Sequence, residues 1–157
     1  MAKKDATILV VDDEEAFRYM LSSLLQRSGY TVDTAVDGVA AINAVQTKLY
    51  DAVLCDLKMP KVDGTEVLKF IKANFPSVEV VMLTGVADVR TAVECIRVGA
   101  YDYITKPTTA DELLTSIQRA IERRQLVIDN TVMKGVIEKL QGQYEMVGES
   151  EAFRRVL

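Results

Sequence analysis

Four short apolar runs in the first 106 residues each lead into a polar side chain that can take part in chemistry. Residues 8–11 lead into Asp12-Asp13, residues 52–55 into Asp56, residues 80–83 into Thr84, and residues 103–104 into Thr105-Lys106. In an open parallel sheet the carboxyl ends of the strands share one edge, and ligands bind there. A carboxylate pair, a lone carboxylate, a hydroxyl and an amine would then meet. The pattern predicts a site for a divalent cation and a phosphoryl group.

The order of the predicted elements is that of an α/β protein. Strands alternate with amphipathic helices through residues 7–121. The runs at 7–11, 52–56 and 79–83 are almost continuously apolar, which is typical of central parallel strands covered on both faces. Residues 31–35 alternate more and indicate a strand nearer an edge. Five βα units predict a doubly wound sandwich with right-handed crossovers, and Gly29 should end the first helix.

Composition narrows the class of protein. The 157 residues are 49% hydrophobic and 27% charged, enough for one domain and a short appendage. A net charge of -4 without a basic stripe argues against a nucleic-acid binder. No apolar stretch approaches the roughly 20 residues of a membrane span, and the start lacks the apolar region of a signal peptide. Cys55 and Cys95 lack metal-ligand spacing, which suggests reduced thiols in a cytoplasmic protein.

The chain contains no histidine, so carboxylates, a lysine and hydroxyls must supply the chemistry. Asp12 and Asp13 alone could simply place negative charge in the first turn of a helix. With Asp56 on the neighbouring strand, they instead make an oxygen-rich site whose carboxylates repel unless a cation intervenes. Mg²⁺ fits such a site.

The other candidate residues surround Asp56. Its carboxylate is either a third metal ligand only or a nucleophile that attacks phosphorus. Lys106 and Thr84 could each donate to a phosphoryl oxygen. The Lys106-Pro107 sequence suggests a cis peptide bond that aims the lysine inward. Tyr103, on the last strand, could be only a half-buried edge aromatic with its hydroxyl in water.

These motifs carry a family resemblance. Residues 7–123 resemble the receiver domain of two-component response regulators, and all five signature positions match. The matching segments are Asp12-Asp13 after Ile8-Leu9-Val10-Val11, Asp56-Leu57-Lys58-Met59-Pro60 with Gly64, Thr84-Gly85, and Tyr101 to Pro107. The resemblance implies a flavodoxin-like five-stranded sheet in the order 2-1-3-4-5. It also implies a sensor histidine kinase as phosphodonor.

The resemblance also implies roles for individual residues. Asp56 would be the phosphoacceptor, with Asp13 and the Lys58 carbonyl as direct Mg²⁺ ligands and Asp12 acting through water. Such a domain is a signalling module that catalyses only its own phosphorylation and slow dephosphorylation.

The resemblance further makes Tyr103 a switch whose rotamer follows Thr84.

Beyond residue 121 no further strand is predicted, and residues 122–144 are expected to continue the fifth helix. Leu126, Met133 and Leu140 lie seven apart, with Asn130 and Ile137 four residues after the first two. This pattern predicts a dimerisation linker over 124–144, a parallel coiled coil with Asn130 at an a position. The alternative is one amphipathic helix that folds back on the domain.

Residues 145–157 resemble the beginning of the AAA+ ATPase domain of sigma-54-dependent activators of the nitrogen-regulation type. The glycine-rich phosphate loop of that domain is absent, so no ATP hydrolysis is expected. The resemblance implies a truncated activator whose sigma-54 RNA polymerase and DNA contacts belong to absent domains. No membrane association is expected.

Two other functions compete with this interpretation. Haloacid-dehalogenase-type phosphatases also use an aspartyl nucleophile with Mg²⁺, but their second aspartate lies where Lys58 stands here. A stand-alone receiver, or phosphate sink without an output domain, is the closer alternative. The predicted linker helix and the segment after it argue against a sink.

Overall fold

The structure, a computed structural model, describes residues 6–126 and residue 128. The chain divides into two units, Met1–Arg124 and Gln125–Leu157. The strands are β1 (Thr7–Val11), β2 (Thr31–Ala35), β3 (Ala52–Cys55), β4 (Glu79–Thr84) and β5 (Asp102–Thr105). The helices are α1 (Glu15–Arg27), α2 (Gly38–Thr47), α3 (Gly64–Asn74), α4 (Val89–Val98) and α5 (110–126). Within the described part of the chain, every helix is too short or too polar to cross a membrane.

The five strands form one parallel sheet in the order β2-β1-β3-β4-β5. This order confirms the predicted doubly wound α/β fold. The more alternating strand, β2, lies at an edge, as its pattern indicated. The three strongly apolar strands lie inside the sheet. The predicted extension of α5 into a linker beyond residue 126 falls outside the described residues, except for Ile128.

Alternate residues of the inner strands face two separate apolar clusters, one on each side of the sheet. Leu9 and Val53 belong to the cluster that α2, α3 and α4 cover, whereas Ile8 and Leu54 belong to the cluster that α1 and α5 cover. Because both faces are buried, neither set of alternate positions can be polar. This double burial is the physical reason for the continuous apolar runs.

The end of α1 confirms the role predicted for Gly29. The glycine has φ 101°, its N–H donates to the Gln26 carbonyl at 3.0 Å, and the Tyr30 N–H donates to the Leu25 carbonyl at 3.2 Å. These two bonds define a Schellman ending, which favours glycine at the left-handed position. The turn leads directly into β2.

The loop after β3 lies tightly against the start of α3. The Asp63 side chain accepts hydrogen bonds from the Thr65 and Glu66 N–H groups and so caps the helix. A Cβ atom added at Gly64 would overlap the Asp56 backbone oxygen and would lie 2.8 Å from the Leu57 Cα atom. Only glycine therefore allows the helix to begin this close to the strand end that carries Asp56.

Ion pairs hold the end of α5 at the amino ends of the strands, at the opposite end of the sheet from Asp56. Arg123 Nη1 donates to Glu79 Oε2, and Arg124 Nη1 donates to Asp51 Oδ1, each at 2.9 Å. Glu79 is only 2% exposed and begins β4, while Asp51 precedes β3. A buried carboxylate is costly unless it is paired, so these arginines are part of the folded domain. Arg124 thus belongs to the first unit, one residue beyond the predicted receiver boundary at 123.

Gly64→Ala should destabilise the protein by about 2 kcal/mol, because the new methyl group must displace the Asp56 backbone. Gly85→Ala is the matched control, since a Cβ atom there meets nothing within 4 Å. Its free energy of unfolding should change by less than about 0.5 kcal/mol. Urea denaturation measures both. An undiminished stability of Gly64→Ala would contradict the close approach.

Candidate functional site

The register of the sheet brings the predicted site residues to one edge. Beyond the strand ends, the Asp56 N–H donates to the Val11 carbonyl at 2.9 Å, and the Lys106 N–H donates to the Thr84 carbonyl at 2.8 Å. These bonds continue the parallel ladder by one step at the carboxyl ends of β3 and β5. The predicted site residues at the carboxyl ends of β1, β3, β4 and β5 therefore lie on neighbouring strands, as the sequence predicted.

Three carboxylates form an acidic cluster at this edge. Asp12, Asp13 and Asp56 each place one carboxylate oxygen within 4.8 Å of the others. Asp12 and Asp56 are buried, and Asp13 is exposed to solvent. Hard oxygen ligands from several carboxylates suit a divalent cation such as Mg²⁺, which keeps some water ligands on its open side. The donor set therefore fits the predicted metal.

The surroundings of Asp56 work against its negative charge. Burial raises the pKa of this carboxyl group, and the nearby Asp12 raises it further. The Lys106 ammonium, a hydrogen bond from the Thr84 hydroxyl and the Leu57 N–H, at 2.8 Å from Oδ1, act in the lowering direction but do not cancel the effect. An ionised Asp56 is thus less favourable here than in water, and a cation bound beside it would stabilise it.

Lys106 faces both buried carboxylates. Its Nζ atom lies 3.2 Å from Asp12 Oδ2 and 4.0 Å from Asp56 Oδ2. The same nitrogen lies 4.0 Å from the centre of the Phe17 ring. The Lys106-Pro107 peptide bond is cis, as predicted. The sequence indicated the lysine but not the aromatic ring beneath it, because nothing in the local pattern distinguishes Phe17 from the other apolar residues of α1.

A second residue that sequence reasoning missed is Arg18. Its Nη1 atom donates to the Asp12 carbonyl at 2.7 Å, while Asp12 Oδ1 accepts from the Glu14 N–H at 2.9 Å. Both bonds hold the turn between β1 and α1 in place. The available signal was a basic residue early in a helix that otherwise begins with acidic side chains.

Thr84 and Tyr103 are linked through one residue of the loop after β4. The Thr84 Oγ1 atom accepts from the Val86 N–H at 3.3 Å, and the Tyr103 hydroxyl donates to the Val86 carbonyl at 2.7 Å. Tyr103 is half-buried, as its position on the edge strand suggested, and its hydroxyl is bonded to backbone. Val86 was not predicted, since nothing in its side chain marks it.

Comparison with known proteins identifies the family. Residues 8–118 match the family model described as the response regulator receiver domain. The chain belongs to this family. The receiver is 35% identical to a solved receiver domain from Clostridium thermocellum, which it matches with a TM-score of 0.75 over 78% of this chain and 98% of that one. NtrX from Brucella abortus is 36% identical, with a TM-score of 0.77 over 83% of this chain and 30% of that one.

Full-length relatives are considerably longer than this receiver. The transcriptional regulatory protein ZraR of Klebsiella oxytoca is 38% identical over all 157 residues, which make up 34% of its own length. The regulatory protein AtoC of Escherichia coli is 38% identical over 119 residues, which cover 76% of this chain and 26% of AtoC. The chain thus spans about a third of the first of these curated relatives.

The roles predicted for Lys58 and for the residues of the dimer seam stay predictions. Lys58 is exposed in the loop after β3, and its carbonyl as a metal ligand stays a prediction. Leu126 is 63% exposed near the end of the described part of α5. The remaining seam residues, Asn130, Met133, Ile137 and Leu140, lie outside the described residues.

The raised pKa of Asp56 makes metal-free stability depend on pH. The folded state binds this proton more tightly than the unfolded chain does, so the associated stability is present in acid and is lost as the pH rises through the folded pKa. In EDTA at pH 7, Asp56→Asn should therefore need more urea to unfold than the wild type. The advantage should shrink as the pH falls toward the unfolded value of about 3.9.

Asp63→Asn is the control for this measurement, because an asparagine still caps α3 and the site is untouched. Saturating Mg²⁺ should stabilise the wild type more than Asp56→Asn. Equal urea midpoints for the wild type and Asp56→Asn in EDTA at pH 7 would show that the charge of Asp56 does not destabilise the folded state.

Proposed function

We propose that this receiver takes a phosphoryl group on Asp56 from the phosphohistidine of a sensor kinase, with Mg²⁺ as cofactor. The observation that carries the proposal is the combination at Asp56 of a buried strand exit, two neighbouring carboxylates and a facing ammonium. The cation would be held by Asp12, Asp13, Asp56 and the Lys58 carbonyl. When bound, it offsets the charge that the carboxylates share with an incoming phosphoryl group.

The chemistry is one nucleophilic displacement. A carboxylate oxygen of Asp56 attacks phosphorus and forms an O–P bond, while the P–N bond of the phosphohistidine breaks and its electron pair stays on the imidazole. Lys106 donates to one phosphoryl oxygen and the Thr84 hydroxyl donates to another, which stabilises the charge that collects there. The product is an acyl phosphate that the domain slowly hydrolyses.

The contacts of Val86 suggest how the modification changes the domain. In the structure, Thr84 Oγ1 accepts a hydrogen bond from the Val86 N–H at 3.3 Å. A Thr84 hydroxyl that turns toward a phosphoryl oxygen would move away from this N–H group. The same residue holds the Tyr103 hydroxyl at 2.7 Å. A shift of this loop therefore releases Tyr103 to change rotamer, which is the proposed switch.

The parent protein is proposed to be a cytoplasmic sigma-54-dependent AAA+ activator. This proposal is supported by similarity to ZraR and AtoC, and by the match of the whole chain to about a third of ZraR. Residues 124–144 would form a homodimeric linker, and residues 145–157 would begin the ATPase domain. Contacts with DNA and with sigma-54 RNA polymerase would belong to other domains.

Asp56 should be the single site of phosphorylation. Treatment with acetyl phosphate and Mg²⁺ should add one phosphate to the wild type, and intact-protein mass spectrometry should detect none on Asp56→Asn or in excess EDTA. Asp63→Asn should be modified like the wild type, since it removes a nearby carboxylate without touching the cluster. A phosphorylated Asp56→Asn protein would end this proposal.

The proposed linker predicts that dimerisation depends on residues after the domain. The chain should be cut after Arg124, because an earlier cut would remove the ion pairs of Arg123 and Arg124 with the sheet. The shortened protein should be monomeric by light scattering where the 157-residue chain is dimeric. Asn130→Leu should give a tighter and less specific oligomer. A shortened chain that dimerises equally well would show that the linker does not hold the pair.

A further inference from the structure

We propose that Phe17 is a positioning residue for Lys106, whose ring keeps the ammonium group in the site between Asp12 and Asp56. The inference rests on the proposed function, because it concerns the lysine that would contact the phosphoryl group. It adds an aromatic residue from α1 to a site otherwise built from carboxylates, a hydroxyl and an amine.

The carboxylates by themselves hold the ammonium loosely. Charge-assisted N–H···O bonds are usually about 2.7–2.9 Å long. The Lys106 Nζ atom lies 3.2 Å from Asp12 Oδ2 and 4.0 Å from Asp56 Oδ2, so neither contact is a short one. The ammonium group of a lysine also sits on a flexible four-carbon chain and can extend into water. A further attractive surface is needed to keep it inside.

The ring of Phe17 provides that surface. Its centre lies 4.0 Å from Lys106 Nζ, well inside the range of about 6 Å over which the face of an aromatic ring attracts a cation. Lys106 is 21% exposed in its side chain, so the attraction is only partly screened by water. The ring is therefore a third partner of the ammonium, beside the two carboxylates.

The ring is itself held in place. Phe17 is half-buried in α1 and packs against the apolar cluster between the sheet and the α1–α5 layer. The turn before it is fixed by the bonds from the Glu14 N–H to Asp12 Oδ1 and from Arg18 to the Asp12 carbonyl. One short segment thus places both the acid and the ring that contact Lys106.

An aromatic ring suits this position better than another acid would. The ring face attracts the positive charge but offers no oxygen to accept a short hydrogen bond. The N–H groups of Lys106 consequently stay available to an oxygen on Asp56. A third carboxylate in this place would compete with the phosphoryl group for the ammonium and would add to the repulsion in the cluster.

The test measures the affinity of the Mg²⁺-loaded protein for beryllium trifluoride, a phosphoryl mimic that binds an aspartate. Phe17→Leu keeps an apolar side chain but removes the ring face, and should weaken binding about fivefold. Phe17→Tyr keeps the ring face and should restore affinity close to that of the wild type. Should Phe17→Leu fail to fold, as judged by circular dichroism, Phe17→Met replaces it in the same comparison.

A double-mutant cycle with Lys106→Met separates positioning from simple packing. If Phe17 acts through the lysine, Phe17→Leu should have no further effect once Lys106 is methionine. An equal loss in both backgrounds would show that the ring is only structural and would overturn the inference. The inference would also be overturned if the wild type binds the mimic and Phe17→Leu binds it with the same affinity. A wild type that neither binds the mimic nor accepts phosphate on Asp56 would instead refute the proposed function.

Discussion

Repulsion among the carboxylates at the carboxyl edge of the sheet is the constraint to which the rest of the site responds. The register of β1 against β3 places Asp56 beside the residue that follows Val11, and both strands are held there by packing into the two apolar clusters. Burial of both sheet faces therefore enforces the crowding of charge. Lys106, the Leu57 N–H and the Thr84 hydroxyl relieve only part of it, and burial together with the Asp12 charge keeps the pKa of Asp56 raised. The site is thus prepared for a cation.

The acidic groups at the two ends of the strands differ in how far positive charges balance them. At the carboxyl edge, acids outnumber their cationic partner, so the charge is only partly balanced. At the amino ends of the strands, Glu79 and Asp51 each have an arginine from the end of α5 at 2.9 Å. One partner of each pair, Glu79 and Arg124, is buried, and removing the other partner would leave a buried charge uncompensated. The domain therefore combines an acidic cluster with incompletely balanced charge at one end of the strands with ion pairs that hold α5 at the other end.

Val86 connects the responsive edge to the outer strand. Its N–H and carbonyl are bonded to Thr84 and Tyr103 respectively, so a single peptide segment is shared between a residue of the site and an aromatic on β5. Such sharing provides a physical route between them that does not require a change in the sheet. Gly64 has the opposite effect on the other side of Asp56, since its close packing against the strand end leaves that loop little freedom.

The strands, their burial and the chemistry at their ends could all be predicted from local sequence patterns. The apolar runs of β1, β3 and β4 reflect burial on two faces, and Asp12, Asp56 and Thr84 follow those runs directly. Lys106 follows the half-buried strand β5. The strand order came from family resemblance and is confirmed. The heptad pattern after residue 124 stays a prediction. Three contacts became visible only in the folded domain: Phe17 lies against Lys106, Val86 joins Thr84 to Tyr103, and Arg124 pairs with Asp51. Those contacts join side chains and backbone groups from separate elements, and their formation depends on helix rotation and rotamers that local sequence patterns do not encode.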